Sequence, residues 1–488
     1  MKAPRGRKFT GHWIDAGCLT WFAAAAAVYI ARAVWSGGVL GAYPSDGTRL
    51  HYFVREYLLQ SIADGRLPLW NPFTQFGAPF LANMQWGVFY PLNFALARVP
   101  TDLAYNLFIA VHLALAGGFM YLLARDWALD RAPAFVAGTA FMFSGRLVSF
   151  AWGGGLNHLS AIAWLPLVVL CFSRAGAARP ARRAALWAAL CSAAWAIQIL
   201  SGHPEYAFLS GLVMLVVAVW MAADRSSGST RLAPLGLWIA VVAIGLALSA
   251  VQLGVTYEAT TLSTRAFGWH AAAIPSSIEG SYNPIRILTW LIPDAFGNAV
   301  SLRPASTDWL SLVLKEPHSD EFRGYVGILP LALAFATLSG WRRDRRATML
   351  WSITGIGLVL ALGRLTPVYG LLYRIAPPLR VFRIPARFLN IVVFAVALLA
   401  GVGAQRLIDA PDARFRAWAR GLGVVATLLL ASVAVGFVVR TPLLAYGQRL
   451  AAPLFASRPS GFGLDAAGRS ALIAHAYALG LRSTLVTA

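Results

Sequence analysis

The sequence predicts an all-α polytopic membrane protein with about eleven membrane-spanning helices. Of its 488 residues, 58% are hydrophobic and 12% are charged, whereas a typical soluble domain carries about 25% charged residues. Apolar runs of about 20 residues, the length that crosses a bilayer as a helix, recur along the whole chain. We therefore expect one membrane-embedded body rather than a series of soluble domains.

The apolar runs place the spans to within a few residues. The candidate spans are 14–35, 103–124, 132–151, 157–174, 184–201, 205–223, 235–257, 324–341, 347–363, 387–407 and 421–440. A basic segment precedes the first span, so a cleaved signal peptide is the competing interpretation there. Because the first run is long enough to cross the bilayer and many spans follow it, we interpret it as an uncleaved helix.

The charged connections between the spans predict the orientation of the chain. Six short connections are rich in lysine and arginine, and all six fall on one side when the spans are counted in order. The positive-inside rule assigns that side, together with the N-terminus, to the cytoplasm. We expect an inner-membrane protein with a transmembrane domain, 1–440, and an extracytoplasmic tail, 441–488. The expected outer loops are 36–102, 258–323 and 364–386.

Composition and motifs exclude several classes of function. The net charge of +21 would suit a nucleic-acid partner, but the sequence has no basic stripe with interleaved aromatic residues. Cys18, Cys171 and Cys191 lie inside apolar runs without CxxC spacing, which argues against a disulfide framework or a zinc site. The chain has no P-loop, GxSxG or HExxH pattern, so nucleotide hydrolysis by this chain is not expected.

Asp46 is the candidate catalytic residue of the first outer loop. It closely follows the first span, so its carboxylate would lie near the membrane surface, where a lipid-phosphate substrate presents its headgroup. A carboxylate there could act as a general base on an acceptor hydroxyl, or bind a divalent metal such as Mg²⁺ or Mn²⁺ that holds phosphate. The alternative is that Asp46 caps the helix-like segment that follows, since Ser and Asp favour that position.

The same loop contains candidates for sugar binding. Trp70, Asn71 and Gln85 lie in a stretch rich in tryptophan and in side-chain amides. Aromatic faces stack against sugars and amides hydrogen-bond to their hydroxyls. The alternative is an ordinary interfacial aromatic belt, which tryptophan and tyrosine form in many membrane proteins.

Further candidates for substrate binding are His158, His203 and Glu205, all on the predicted outer side. Histidine and glutamate are costly at the membrane edge, so polar groups there are candidates for function. For His203 and Glu205 the alternative is a tight turn in which Pro204 starts the next helix.

Arginines are also found on the predicted outer side, where positive-inside statistics disfavour them. Arg380, Arg383 and Arg387 precede the tenth span with spacings that could clamp a monophosphate or diphosphate. Snorkelling to lipid phosphates is the alternative. Arg146, toward the outer end of the third span, is another candidate, unless it pairs with an outer carboxylate such as Asp46 or Glu205.

Several short segments carry a resemblance to a known family, and they occur in order over most of the chain. They are Asp46, Pro68-Leu69-Trp70-Asn71-Pro72, Tyr90-Pro91-Leu92-Asn93, Phe143-Ser144-Gly145, His158, Ala163-Trp164-Leu165-Pro166, Gly202-His203-Pro204, Leu291-Ile292-Pro293-Asp294-Ala295-Phe296-Gly297, Tyr325-Val326-Gly327 and Phe382-Arg383-Ile384-Pro385-Ala386-Arg387-Phe388. Together they resemble the YfhO-type family of bacterial membrane proteins, which belong with the GT-C glycosyltransferases.

The resemblance implies a GT-C-like fold and an enzyme. Such enzymes transfer a sugar from a polyprenyl-phosphate donor to an acceptor outside the cytoplasm, and Asp46 matches their acidic catalytic position. Arg383 and Arg387 match the arginines that meet the donor phosphate. The interpretation is an inverting glycosyltransferase that needs no nucleotide. The alternative is a non-enzymatic transporter of lipid-linked glycans or a scaffold for envelope assembly.

Overall fold

The structure, a computed structural model, confirms a mainly helical chain. It describes residues 12–42, 45–74, 76–224, 232–263, 280–296, 319–339, 341–375, 379, 384–409 and 411–442, and a few positions beyond them. Within these residues the strands are β1 (Trp70–Asn71) and β2 (Ala78–Pro79), an antiparallel pair. The helices are α1 (His12–Trp35), α2 (Tyr52–Ala63), α3 (Pro91–Leu96), α4 (Thr101–Asp126), α5 (Arg131–Met142), α6 (Gly145–Gly153), α7 (Leu156–Ala163), α8 (Leu165–Ala177), α9 (Ala181–Leu200), α10 (Pro204–Ala222), α11 (Ala233–Leu248), α12 (Ala250–Thr261), α13 (Ile328–Ala336), α14 (Arg345–Ala361), α15 (Pro367–Ile375), α16 (Leu389–Asp409) and α17 (Pro411–Val438).

Seven helical segments among the described residues are long and apolar enough to cross a membrane. They are His12–Trp35, Thr101–Asp126, Arg131–Gly153, Leu156–Ala177, Ala181–Leu200, Pro204–Ala222 and Pro385–Asp409. Two bent pairs raise the number to nine if each is one span: Ala233–Leu248 with Ala250–Thr261, bent by 73°, and Gly423–Gly436 with Arg440–Tyr446, bent by 75°. Each coincides with a span expected from the sequence.

The other two expected spans are occupied by shorter helices. The expected span 324–341 contains α13, of nine residues, and 347–363 contains α14, of 17 residues. At about 1.5 Å per residue, these helices are about 14 Å and about 26 Å long, against a hydrocarbon core of about 30 Å. Because Gly327 has a φ of 95°, α13 begins only at Ile328 and is too short to cross by itself.

The core of the bundle is built around α16, in which the residues from Leu389 to Gly403 are all buried. This helix packs against α5, α13 and α14, while α4 packs against α1 and α5. Small residues allow helix backbones to approach closely in a membrane. At Gly403, for example, a Cβ atom would lie 1.9 Å from the carbonyl oxygen of Leu333.

Ion pairs join the basic connections at one end of the bundle. They are Asp15 with Arg125 and Arg131, Asp126 with Arg174, Asp224 with Arg345, and Asp344 with Arg406. A hydrogen bond of 2.7 Å from the Asp130 backbone to Gln405 adds a further link. The connections from α1 to α16 that the structure describes therefore lie together, as expected from counting the spans. The functional candidates that the structure describes lie toward the opposite end.

Candidate functional site

Four charged side chains form a cluster at that opposite end, and we call Arg146, Glu205, Glu321 and Arg387 the charge cluster. The first three are buried, and Arg387 is partly exposed. Arg387 donates from Nε to Glu321 Oε1 at 2.8 Å and from Nη1 to Glu205 Oε2. Arg146 donates from Nη2 to the other Glu321 oxygen at 3.0 Å. The two positive and two negative charges balance, which offsets the cost of removing them from water.

The members of the charge cluster converge because three of them lie at helix starts. Glu205 is in the first turn of α10, and Arg146 is in the first turn of α6, whose N-cap is Ser144. Arg387 belongs to a 3-10 turn that leads into α16. Gly145 brings the segment after Glu321 close to α6, because its backbone N–H donates to the Tyr325 carbonyl at 2.7 Å.

Glu321 is the charged centre of this cluster. Burial raises the pKa of Glu321, but the positive charges of Arg387 and Arg146 more than offset that effect and hold the pKa below its ordinary value. Glu321 is therefore an anion at neutral pH, and it can accept hydrogen bonds but cannot donate one.

Two histidines adjoin the charge cluster. The rings of His158 and His203 lie 4.3 Å apart between centroids. His158 Nδ1 lies 2.8 Å from the Tyr206 hydroxyl and 3.9 Å from a Glu321 oxygen. Within the part of the chain that the structure describes, no three His, Cys, Asp or Glu side chains are grouped as a metal site would need. The arrangement suits hydrogen bonding to substrate hydroxyls.

Asp46 is exposed and immediately precedes a π-helical turn, Gly47–His51. Its side chain makes no capping hydrogen bond. Ser45 caps instead, because its Oγ accepts from the Thr48 backbone N–H at 3.4 Å. Among the described residues, the Asp46 carboxylate has no hydrogen-bond or ion-pair partner. The capping alternative is therefore not what the structure shows, and π-helical turns are frequent at functional sites.

Glycines dock the Asp46 turn onto the rest of the bundle. A Cβ atom on Gly154, which has a φ of 83°, would lie 2.0 Å from the Gly47 backbone nitrogen. Only a glycine allows this approach, because it combines a left-handed backbone with no side chain. A Cβ atom on the next residue, Gly155, would lie 3.2 Å from the His158 ring. The Gly154–Gly155 turn therefore lies between Asp46 and the histidines.

The structure also places the remaining candidates of the expected first outer loop, Trp70, Asn71 and Gln85. Asn71 is buried and uses its side chain within the hairpin: Oδ1 accepts from the Phe73 backbone at 2.9 Å, and Nδ2 donates to Thr74 at 2.8 Å. Trp70 is half exposed and packs over Gly77. Gln85 is exposed and lines a cleft described below. No contact joins Trp70 or Asn71 to the charge cluster among the described residues.

Two of the predicted phosphate ligands, Arg380 and Arg383, lie outside the described residues. The third, Arg387, is engaged by two carboxylates in this structure. Contact with a phosphate would require Arg387 to exchange one of these partners.

A cleft of about 330 Å³, partly open to solvent, lies between α2 and the bundle and contains Arg55. Only 8% of Arg55 is exposed, its Nη1 donates to Asn93 Oδ1 at 2.8 Å, and its guanidinium lies 3.8 Å above the Phe108 ring. Burial lowers the pKa of Arg55 to about 10, so it remains protonated at neutral pH. Burial and the charge of Arg55 lower the pKa of His51, also in the cleft, to about 4. Arg55 therefore carries the positive charge of the cleft.

Sequence reasoning did not single out Glu321 or use Arg55. Glu321 is separated from its partners Arg146 and Arg387 by 175 and 66 residues, so no local pattern reveals it. The sequence feature that pointed to Glu321 was its position beside the Tyr325-Val326-Gly327 segment on the predicted outer side. For Arg55 the signal was an arginine between Val54 and Leu58, on an otherwise apolar helix face.

Comparison with known proteins finds structural likeness but no relative in sequence. No protein-family model and no curated protein matches the chain. One similar solved structure is ArnT from Cupriavidus metallidurans bound to undecaprenyl phosphate, with 17% identity and a TM-score of 0.48 over 98% of this chain and 78% of that one. The apo state of the same protein gives 18% identity and a TM-score of 0.47 over 97% and 78%. Likeness at this level carries no argument about function.

Proposed function

We propose that this protein is a membrane glycosyltransferase of the GT-C type. It transfers a sugar from a polyprenyl-phosphate-linked donor to an extracytoplasmic acceptor, which is a cell-envelope glycan, lipid or protein. The observation that carries the proposal is the Asp46 carboxylate, which is exposed and has no hydrogen-bond or ion-pair partner among the described residues, on a backbone held against Gly154. A carboxylate with free oxygens on a fixed backbone suits a catalytic base.

The proposed reaction is a single displacement that inverts the anomeric centre. The acceptor oxygen attacks the anomeric carbon while the bond from that carbon to the phosphate oxygen breaks. Asp46 takes the proton of the acceptor hydroxyl, and polyprenyl phosphate leaves with the electron pair. In the alternative role, the same carboxylate would hold a divalent metal against the phosphate.

Positive groups are needed where negative charge grows on the leaving phosphate. We assign this role to Arg380, Arg383 and Arg387, as the family resemblance implies. For Arg387, the role involves exchanging Glu205 or Glu321 for a phosphate oxygen. Such an exchange would couple donor binding to the charge cluster.

The remaining polar candidates are proposed to bind the sugar or the acceptor. His158 and His203 lie together beside the charge cluster, to which Glu205 belongs, and Gln85 lines the neighbouring cleft. Trp70 offers a half-exposed aromatic face. For Asn71 the hydrogen bonds within the hairpin make a positioning role more consistent than direct contact.

The test is donor turnover by the purified full-length protein in lipid vesicles. A panel of polyprenyl-phosphate monosaccharides is supplied with an extract of cell-envelope acceptors, and released polyprenyl phosphate is measured by mass spectrometry. We expect release from at least one donor, coupled to the appearance of a glycosylated acceptor. A transporter or scaffold would redistribute or hold the donor without releasing polyprenyl phosphate, and that result across the panel would overturn the proposal.

A further inference from the structure

Arg55 is a buried cation that the described residues leave incompletely bonded. Its exposed fraction is 8%, and no carboxylate among the described residues pairs with it. Phe108 attracts the face of the guanidinium, but a ring beneath that face does not satisfy the N–H groups at its edge. A buried positive charge without an opposite charge is costly, so its presence in a polytopic protein points to a ligand.

The unsatisfied donors of Arg55 lie on one edge of the guanidinium. Asn93 accepts from Nη1, and it is itself held in place because its Nδ2 donates to the Gly87 carbonyl at 2.7 Å. Nε is buried without a hydrogen-bond partner, and no described residue accepts from Nη2. The Nε and Nη2 groups form the edge that binds two oxygens of a phosphate or carboxylate at once.

The cleft around Arg55 has the character of an anion site. None of its lining residues is acidic. Asn157 lines it and is buried; its Oδ1 is occupied by the His158 backbone N–H, while its Nδ2 donates to no described residue. The cleft is partly open to solvent, so a ligand can reach it from outside the bundle.

We propose that Arg55 and its cleft form a subsite for a phosphate group, with the Nε–Nη2 edge and Asn157 Nδ2 as donors. The identity of the bound phosphate rests on the proposed function: it is the phosphate of the polyprenyl donor. Asp46 and Arg55 share one continuous helical stretch, since the π-helical turn Gly47–His51 runs directly into α2. A phosphate on Arg55 would therefore lie on the element that presents the carboxylate.

Direct binding to the purified full-length protein in detergent tests the subsite without requiring sugar transfer. The three probes are polyprenyl phosphate, phosphatidylglycerol and inorganic phosphate, measured by isothermal titration calorimetry. Arg55→Gln should weaken binding of polyprenyl phosphate at least about tenfold, because a charge-assisted bidentate contact is lost. Arg49→Gln, which removes an exposed arginine from the same helical stretch, should bind like the parent.

A second variant keeps the test decisive if Arg55→Gln does not fold. Asn157→Asp preserves size and the acceptor for the His158 N–H while placing a carboxylate in the cleft. It should also weaken binding at least about tenfold, since like charges repel. Binding of the polyprenyl lipid alone identifies the donor as the source. Equal Arg55-dependent binding of inorganic phosphate or phosphatidylglycerol identifies a general phosphate site.

The subsite is overturned if the parent binds none of the three probes, or if both cleft variants bind them as the parent does. Unchanged binding by both cleft variants does not bear on whether the protein transfers sugar, because donor turnover is measured separately. Conversely, an absence of donor turnover with intact, Arg55-dependent phosphate binding would remove the proposed function and leave the phosphate subsite.

Discussion

At the scale of single residues, Glu321 is the carboxylate that contacts both arginines of the charge cluster. Replacing it with Gln leaves Arg146 and Arg387 with Glu205 as their remaining carboxylate. Removing one member of a buried ion pair costs about 3–5 kcal/mol, so Glu321→Gln should lower the thermal unfolding temperature in detergent substantially. Glu258→Gln, at an exposed position on α12, is the control and should change stability by less than about 0.5 kcal/mol. Equal unfolding temperatures for the two variants would mean that the charge cluster does not stabilise the fold.

The same residues show what sequence alone could and could not provide about the site. His158, His203, Glu205 and Arg387 were predicted as separate candidates, because charged and polar groups at membrane edges are conspicuous one at a time. Their meeting depends on helix packing across the bundle, which local patterns do not encode. Asn71 shows the converse: its amide had the chemistry for sugar binding, but the hairpin uses it for its own turn.

At the scale of elements, the position of Asp46 depends on the contact between two glycines. Gly154→Ala would place a methyl group 2.0 Å from the Gly47 nitrogen and strain a backbone with a φ of 83°. We expect lower stability and loss of donor turnover, because the Asp46 turn must shift.

Gly65→Ala is a matched control for that change. Gly65 also has a left-handed φ, 71°, but nothing lies within 4 Å of its added Cβ atom. Gly65→Ala should lower the free energy of unfolding only by the backbone strain, about 1–2 kcal/mol. It should retain donor turnover. Thermal unfolding and donor turnover, measured on both variants, separate backbone strain from the collision of the added methyl group with Gly47. Equal turnover in the two variants would refute the docking role of Gly154.

Element boundaries were predictable where apolar runs and turn residues coincided. The run 235–257 is continuous in sequence, yet the structure bends it by 73° between α11 and α12. The bend brings Gln252 to the segment between α1 and α4, where its Nε2 donates to the Leu81 carbonyl at 2.8 Å. A tertiary contact of this kind overrides the local pattern, so hydropathy predicted the apolar segment but not its break.

At the scale of the whole molecule, the ion-paired connections and the candidate site lie at opposite ends of the bundle. The positive-inside rule predicts that the ion-paired end is cytoplasmic. In a variant without native cysteines, Arg66→Cys in the first outer loop should react with a membrane-impermeant thiol reagent in intact cells. Arg343→Cys, which is exposed at the other end, should react only after the membrane is permeabilised. The reverse labelling pattern would invert the topology and place Asp46 in the cytoplasm.

The Asp46 carboxylate is the group on which the functional account depends, and one substitution tests it most directly. Asp46→Asn keeps the size of the side chain, and the side chain makes no capping bond to lose. We expect normal thermal stability with donor turnover lowered by roughly 10²–10⁴-fold, the usual contribution of a positioned acid–base group. Asp64→Asn, which removes an exposed carboxylate paired with Arg66 in the same loop, should turn over like the parent. A stable Asp46→Asn protein that releases polyprenyl phosphate at the parent rate would contradict the account.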